Sequence, residues 1–191
     1  NDRVGQHYDF RAGRHPDEQT LRESLPRIDC RLVEPRRSDR SIRFLAPGVR
    51  INLGGIAKGY AVERGVDVLR GFGVRNAIVT AGGDSRLLGD RRGQPWIVGI
   101  QDPRADEQVA LRIPLEDEAV STSGDYERYF MENGKRYHHI IAPSTGEPAN
   151  GVRSATIVGP DAVMTDALST SVFVMGVDSG LRLIAGLADY E

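Results

Sequence analysis

Asn52-Leu53-Gly54-Gly55-Ile56-Ala57-Lys58-Gly59-Tyr60 is the stretch where the chain changes its period. Before it, residues 41–45 and 49–53 alternate as short strands around Ala46-Pro47-Gly48, which predicts a hairpin. After it, Ile56, Tyr60, Ala61, Val68, Leu69 and Phe72 recur at spacings near three and four, which predicts a helix over 56–72. Gly71 and Gly73 close that helix, as C-terminal glycines do. A strand therefore runs into a helix through paired glycines. Free N–H groups at a helix start favour anions, and glycine admits a phosphate closely. Lys58, in the first turn, adds a point charge. The spacing is neither that of a Walker loop nor that of the dinucleotide fingerprint. Read alone, the segment is also compatible with a plain strand-to-helix turn.

Working outward, residues 77–80 form a short buried strand closed by Ala81-Gly82-Gly83. Strands follow at 96–101, 109–115, 119–123 and 135–141, with a helical turn expected at 125–130. Pro143-Ser144-Thr145-Gly146 is a turn, 154–158 a strand, and 161–174 and 178–187 are helices. Residues 1–40 are polar and rich in arginine, with a turn at Asp39-Arg40-Ser41. Strands outnumber helices and sit in hairpin-like runs, so the expected class is α+β, in a single domain over 1–191.

The 191 residues carry a formal net charge of -2, which argues against nucleic acid as partner, because binding phosphate backbones needs a basic excess. No run of roughly 18 apolar residues is present, so nothing in the chain is expected to span a bilayer. Cys30 is the one cysteine and is read as a small apolar residue on a strand. Lysine occurs only at 58 and 135 among 25 basic residues, which makes Lys58 stand out.

Three further segments carry oxygen or imidazole chemistry. Ser121-Thr122-Ser123 before Gly124 offers hydroxyl donors to phosphate or ribose oxygens, or an N-cap and a turn. His138 and His139 sit on a predicted strand, where neighbours point to opposite faces, so at most one of them faces a site. A histidine beside a pyrophosphate takes a proton from an attacking hydroxyl, while a satisfied structural histidine is the alternative. Asp166 and Thr170 lie four apart on a predicted helix, with both oxygens on one face. A carboxylate with a hydroxyl suits Mg²⁺, which completes its shell with water and substrate phosphates. The alternative is a helix-start aspartate and a threonine bonded to its own turn.

Together the segments resemble the ApbE family, the FAD:protein FMN transferases, from about Ile51 to Leu187. The resemblance is carried by residues 53–61, Ala81-Gly82-Gly83-Asp84, Pro95-Trp96, Val98-Gly99-Ile100, residues 121–126, Lys135-Arg136-Tyr137-His138-His139-Ile140-Ile141, Thr145-Gly146-Glu147-Pro148 and residues 166–170. It implies an ApbE-like α+β fold with mixed and antiparallel sheets, FAD as donor, Mg²⁺ as metal, and transfer of FMN to a Thr or Ser of a partner flavoprotein subunit with release of AMP. By position, Asp166 and Thr170 would ligate Mg²⁺ through side chains and Gly55 through its carbonyl. Asn52, Lys58, Ser121 and Ile141 would contact FAD, and His139 would be the base. Ser169 stands where some relatives carry another carboxylate.

Asn52 and Ala142 replace aspartates of the family pattern, which makes an impaired FAD-binding module one alternative; an FAD pyrophosphatase giving FMN and AMP, with water in place of the acceptor, is the other. The resemblance also implies further flavin contacts before Asn1 and a final strand after Glu191, so the chain reads as truncated at both ends. An extracytoplasmic location, with a lipid-anchored N-terminal segment, is implied on the same ground.

Overall fold

The computed structural model describes residues 2–105 and 108–191, whose contacts gather into two compact units. The first takes in residues up to Asn52 together with Glu127–Ala149, the second Leu53–Tyr126 and Asn150–Glu191.

In the first unit, helices α1 (Asp2–Gly5) and α2 (Glu18–Ser24) lead through 3-10 turns at Leu25–Arg27 and Cys30–Leu32 into strand β1 (Val33–Arg36). Asp17 caps α2 by accepting from the Thr20 backbone N–H at 2.7 Å. β1 pairs antiparallel with β2 (Ser41–Phe44). The expected strand at 41–45 is thus present, but its partner is β1 and not residues 49–53, which form no strand. β1 reads Val-Glu-Pro-Arg, so charge and proline hid its alternation. Cys30 lies exposed on a 3-10 turn rather than on a strand.

The same unit holds a second hairpin, β8 (Tyr129–Glu132) with β9 (Lys135–His138). The helical turn expected near 125–130 is replaced by β8. Asn133 and Gly134 join the strands with φ of 50° and 78°. Both lie in the left-handed region that a two-residue hairpin turn demands, and Asn-Gly is its strongest sequence signal. Phe130 stacks on its cross-strand partner Tyr137 at 5.1 Å between ring centroids.

The second unit is three-layered. Its sheet runs in the order β10-β7-β4-β3, all neighbours antiparallel, from β3 (Ala77–Ala81), β4 (Asp84–Leu88), β7 (Ala119–Gly124) and β10 (Ser154–Gly159). Hairpin β5 (Trp96–Gln101) and β6 (Val109–Leu115) covers one face. Leu87, Leu115 and Val120 are buried there against Trp96, Val98, Ile100, Ile113 and Val158. Helices α3 (Ala57–Gly71) and α4 (Ala162–Met175) cover the other, where Val62, Ala119 and Ala162 are fully buried. Helix α5 (Val177–Ala185) follows α4. Strand alternation divides β7 accordingly: Val120 turns to the hairpin, while Ala119, Ser121 and Ser123 turn to the helices. The expected α+β class with antiparallel sheets is borne out.

α3 buries Gly59, Val62 and Val66, a three-then-four spacing that lays one stripe on the sheet. Gly59 is where α3 crosses α4 most tightly: a Cβ there would lie 2.1 Å from the Ala162 carbonyl oxygen. Alanine is the better helix former by about 1 kcal/mol, whereas overpacking a rigid contact costs about 1–3 kcal/mol. With backbone as the obstacle the upper figure applies, so Gly59→Ala is expected to be net destabilising. Denaturant unfolding checks this, and unchanged stability would show that the helices do not meet there.

Candidate functional site

The first turn of α3 has no side-chain cap: Ile56 precedes the helix in a non-helical conformation, and Leu53 accepts from both Ile56 and Ala57 N–H groups at 3.0 and 2.9 Å. Gly55, in that turn, is exposed, with nothing within 4 Å of an added Cβ. Lys58 reaches across to the loop between β3 and β4. Its ammonium donates to the Gly82 carbonyl at 3.0 Å and is ion-paired with the Asp84 carboxylate. Asp84 is 1% exposed. Burial pushes its carboxyl above the usual carboxylate range, hydrogen bonds from Lys58 and Ser121 oppose that rise, and the charge of Asp166 adds to it.

Asp166 projects from α4 and is buried, one oxygen accepting from the Gly59 N–H at 2.9 Å. Asp161 starts the helix by accepting from the Met164 N–H at 2.8 Å. Glu63 of α3 accepts from the Ala162 N–H at 3.0 Å and pairs with buried Arg86, tying the start of α4 to both α3 and β4. Thr170, one turn beyond Asp166, shares a hydrogen bond with Ser123 at 3.0 Å, and Ser123 also meets Ser169 at 2.9 Å. Ser121 is fully buried, its hydroxyl bonded to Thr165 at 2.8 Å. The serine run of β7 is thus laid against α4.

The sequence-predicted ligands are all oxygen donors: the Asp166 carboxylate and Thr170 hydroxyl lie one turn apart on α4, and the carbonyl of exposed Gly55 belongs to the turn before α3. That set fits a hard cation such as Mg²⁺. Among the described residues, no three His, Cys, Asp or Glu side chains are placed to hold a metal. An ion held by one carboxylate leaves positions for water and phosphate, as Mg²⁺ prefers.

Asn52, His139 and Ile141 belong to the first unit. Asn52 borders a cleft of about 580 Å³ with Arg27, Arg31, Arg50, Pro143 and Ser144. His138 is buried, its Nε2 against the Ala149 carbonyl at 2.8 Å, while the Ile140 N–H reaches its Nδ1 at 3.4 Å. His139 is half-buried just past β9, its own N–H donating to the Arg128 carbonyl at 3.1 Å. Ile141 forms a bridge with Pro148, and Ala142 is held by backbone bonds to Glu147 and Gly146, both at 2.8 Å.

Sequence reasoning assigned no individual role to Asp84 or Glu63, and Ser123 only a share in a run of hydroxyl donors. The signal for Asp84 was its place directly after Gly82-Gly83, which turn the chain so that the next side chain points under α3. Ser123 was visible as one of three hydroxyls. Alternation puts it on the same face as Ser121, but only the packing of α4 shows which hydroxyls it meets.

The sequence profile of the ApbE family matches residues 3–191. The chain is 37% identical over 185 residues to the FAD:protein FMN transferase of Treponema pallidum, covering 88% of this chain and 51% of that protein. It is 35% identical over 188 residues to the enzyme of that name from Klebsiella pneumoniae, covering 95% and 58%. Among solved structures, it resembles the ApbE protein of Thermotoga maritima with a TM-score of 0.84 at 42% identity, covering 95% of this chain and 59% of the other. For the flavin transferase ApbE of Vibrio cholerae the TM-score is 0.79 at 32% identity, with 91% and 55% covered. The chain thus spans a little over half the length of the relatives it matches. A family match along nearly its whole length and a shared fold at such identities have one meaning: the chain belongs to the ApbE family.

Proposed function

We propose that this chain carries the phosphate-binding part of a Mg²⁺-dependent enzyme that transfers FMN from FAD to a Thr or Ser hydroxyl of a partner flavoprotein. The observation that carries the reading is the meeting of α3 and α4, where Lys58 lies beside Gly82 and Asp166 accepts from Gly59. A fixed cation and a metal-binding carboxylate on adjoining turns suit a pyrophosphate. The names of the relatives support FAD as its source.

In this reading Asp166, Thr170 and the Gly55 carbonyl hold Mg²⁺, which when bound neutralises pyrophosphate charge that would repel an oxygen nucleophile. Lys58 holds a phosphate oxygen in place. Asn52 and the Ile141 backbone contact the rest of FAD. His139 takes the proton as the acceptor hydroxyl attacks the FMN phosphorus, the bond to the AMP phosphate breaks, and AMP departs. Much of the rate comes from holding the reacting atoms in line.

The test is incubation of the protein with FAD and Mg²⁺, with chromatography for AMP and for the fate of FMN. FMN bound to protein supports the transferase. Free FMN identifies the pyrophosphatase, in which water replaces the acceptor. FAD binding without AMP release identifies a binding module, a reading favoured by the loss of carboxylates at Asn52 and Ala142.

A further inference from the structure

We infer that Asp84 is the positioning residue for Lys58: a buried carboxylate that fixes the ammonium so that one N–H is directed at a phosphate oxygen of the substrate. The inference rests on the FAD reading above and deepens it. A lysine ammonium has three donors and no acceptor. One donor goes to the Gly82 carbonyl at 3.0 Å and one to Asp84. The third is left on a side chain that is 41% exposed.

The loop is shaped around this arrangement. Gly82 and Gly83 have φ of +54° and +94°, and a Cβ on Gly82 would lie 3.2 Å from the Lys58 Cδ. Asp84 pairs in register with Ser121 on the helix-facing side of the sheet, which directs its carboxylate under α3. Asp84 and Asp166 are both buried, and the charge of Asp166 acts on Asp84. Lys58 pairs with Asp84.

The chemical consequence is a separation of two properties. An unpaired surface lysine attracts anions at long range but must lose the freedom of its stem on binding. Lys58 paired to Asp84 attracts less and is already ordered, so its contribution is to orientation. Removing the Asp84 charge leaves a fully positive, mobile Lys58. FAD then binds as tightly as before or more tightly, with steeper salt dependence, while turnover falls because the phosphate is no longer held in line.

The experiment compares wild type, Asp84→Asn, Lys58→Met and the double variant in the full protein. It measures FAD affinity by calorimetry with Mg²⁺, AMP release in single turnover, and thermal unfolding to correct for folded fraction. Asp84→Asn is expected to lower kcat on the order of 10- to 100-fold without weakening FAD binding, and to add no further loss of rate in the Lys58→Met background. Should Asp84→Asn fail to fold, Lys58→Arg, which keeps both charges but changes the donor geometry, is expected to lower kcat with FAD affinity and its salt dependence unchanged, and an unchanged kcat would overturn the role. Unchanged kcat, parallel losses in affinity and kcat, or additive losses in the double variant would overturn the role. A wild type that releases no AMP from FAD overturns the function and this role with it. An active wild type with an unaffected Asp84→Asn overturns the role alone.

Discussion

Asp166→Asn is expected to abolish the Mg²⁺-dependent release of AMP from FAD. The amide keeps an oxygen to accept from the Gly59 N–H, the bond that Asp166 makes at 2.9 Å, so the crossing of α3 and α4 survives. What is lost is the charge. A bound metal contributes several kcal/mol of transition-state stabilisation, and about 1.4 kcal/mol is tenfold in rate, so the expected loss is on the order of 10²-fold or more. Asp166→Ala should lose activity equally and also stability, because it strands a buried N–H at a cost of about 1–3 kcal/mol. Activity measured across Mg²⁺ concentrations decides the matter. A variant that keeps wild-type turnover at every concentration would show that α4 is not the metal site.

His139→Ala is expected to cut transfer by roughly 10²–10⁴-fold, the loss typical of a missing general base, with FAD binding retained. His138→Ala should act differently. His138 is 4% exposed and has Nε2 bonded to the Ala149 carbonyl and Nδ1 facing the Ile140 N–H. That variant leaves a buried carbonyl unpaired, so it lowers the melting temperature while the folded fraction turns over near normally. Rate measurements on both variants, corrected for folded fraction, separate the two. Equal losses from both, or none from either, would remove His139 from the chemistry.

Much of the second unit was legible because α3 shows helical period, α4 is a long apolar run behind a capping aspartate, β5 and β6 read as strands, and glycines punctuate them. β7 was found but not its partners, since register depends on tertiary pairing. β8 escaped because Tyr129-Phe130-Met131 reads as well on a helical turn, although Asn133-Gly134 marks a hairpin. β1 escaped because a two-stranded ribbon with both faces wet keeps no apolar alternation. In the site, Asp166 and Thr170 were readable as an i, i+4 pair. The Lys58–Asp84 pairing was not, because it joins a helix to a strand 26 positions away in the sequence. Nor was the burial of Ser121 against Thr165, since sequence shows that a hydroxyl is present and not what it bonds.

The second unit is assembled from two stretches, Leu53–Tyr126 and Asn150–Glu191, with residues of the first unit between them. On the ribosome this has an order. Lys58, Asp84 and Ser123 are made before the excursion, Asp166 and Thr170 after it. Until β10 and α4 emerge, β7 has an open edge and the helix-facing side of the sheet is half covered. An unpaired strand edge is the kind of surface that chaperones shield. Contacts of such sequence separation also form late. Under the proposed function, the residues assigned to the metal would therefore come together only in chains whose synthesis has passed α4, so an ion in place would report a completed sheet.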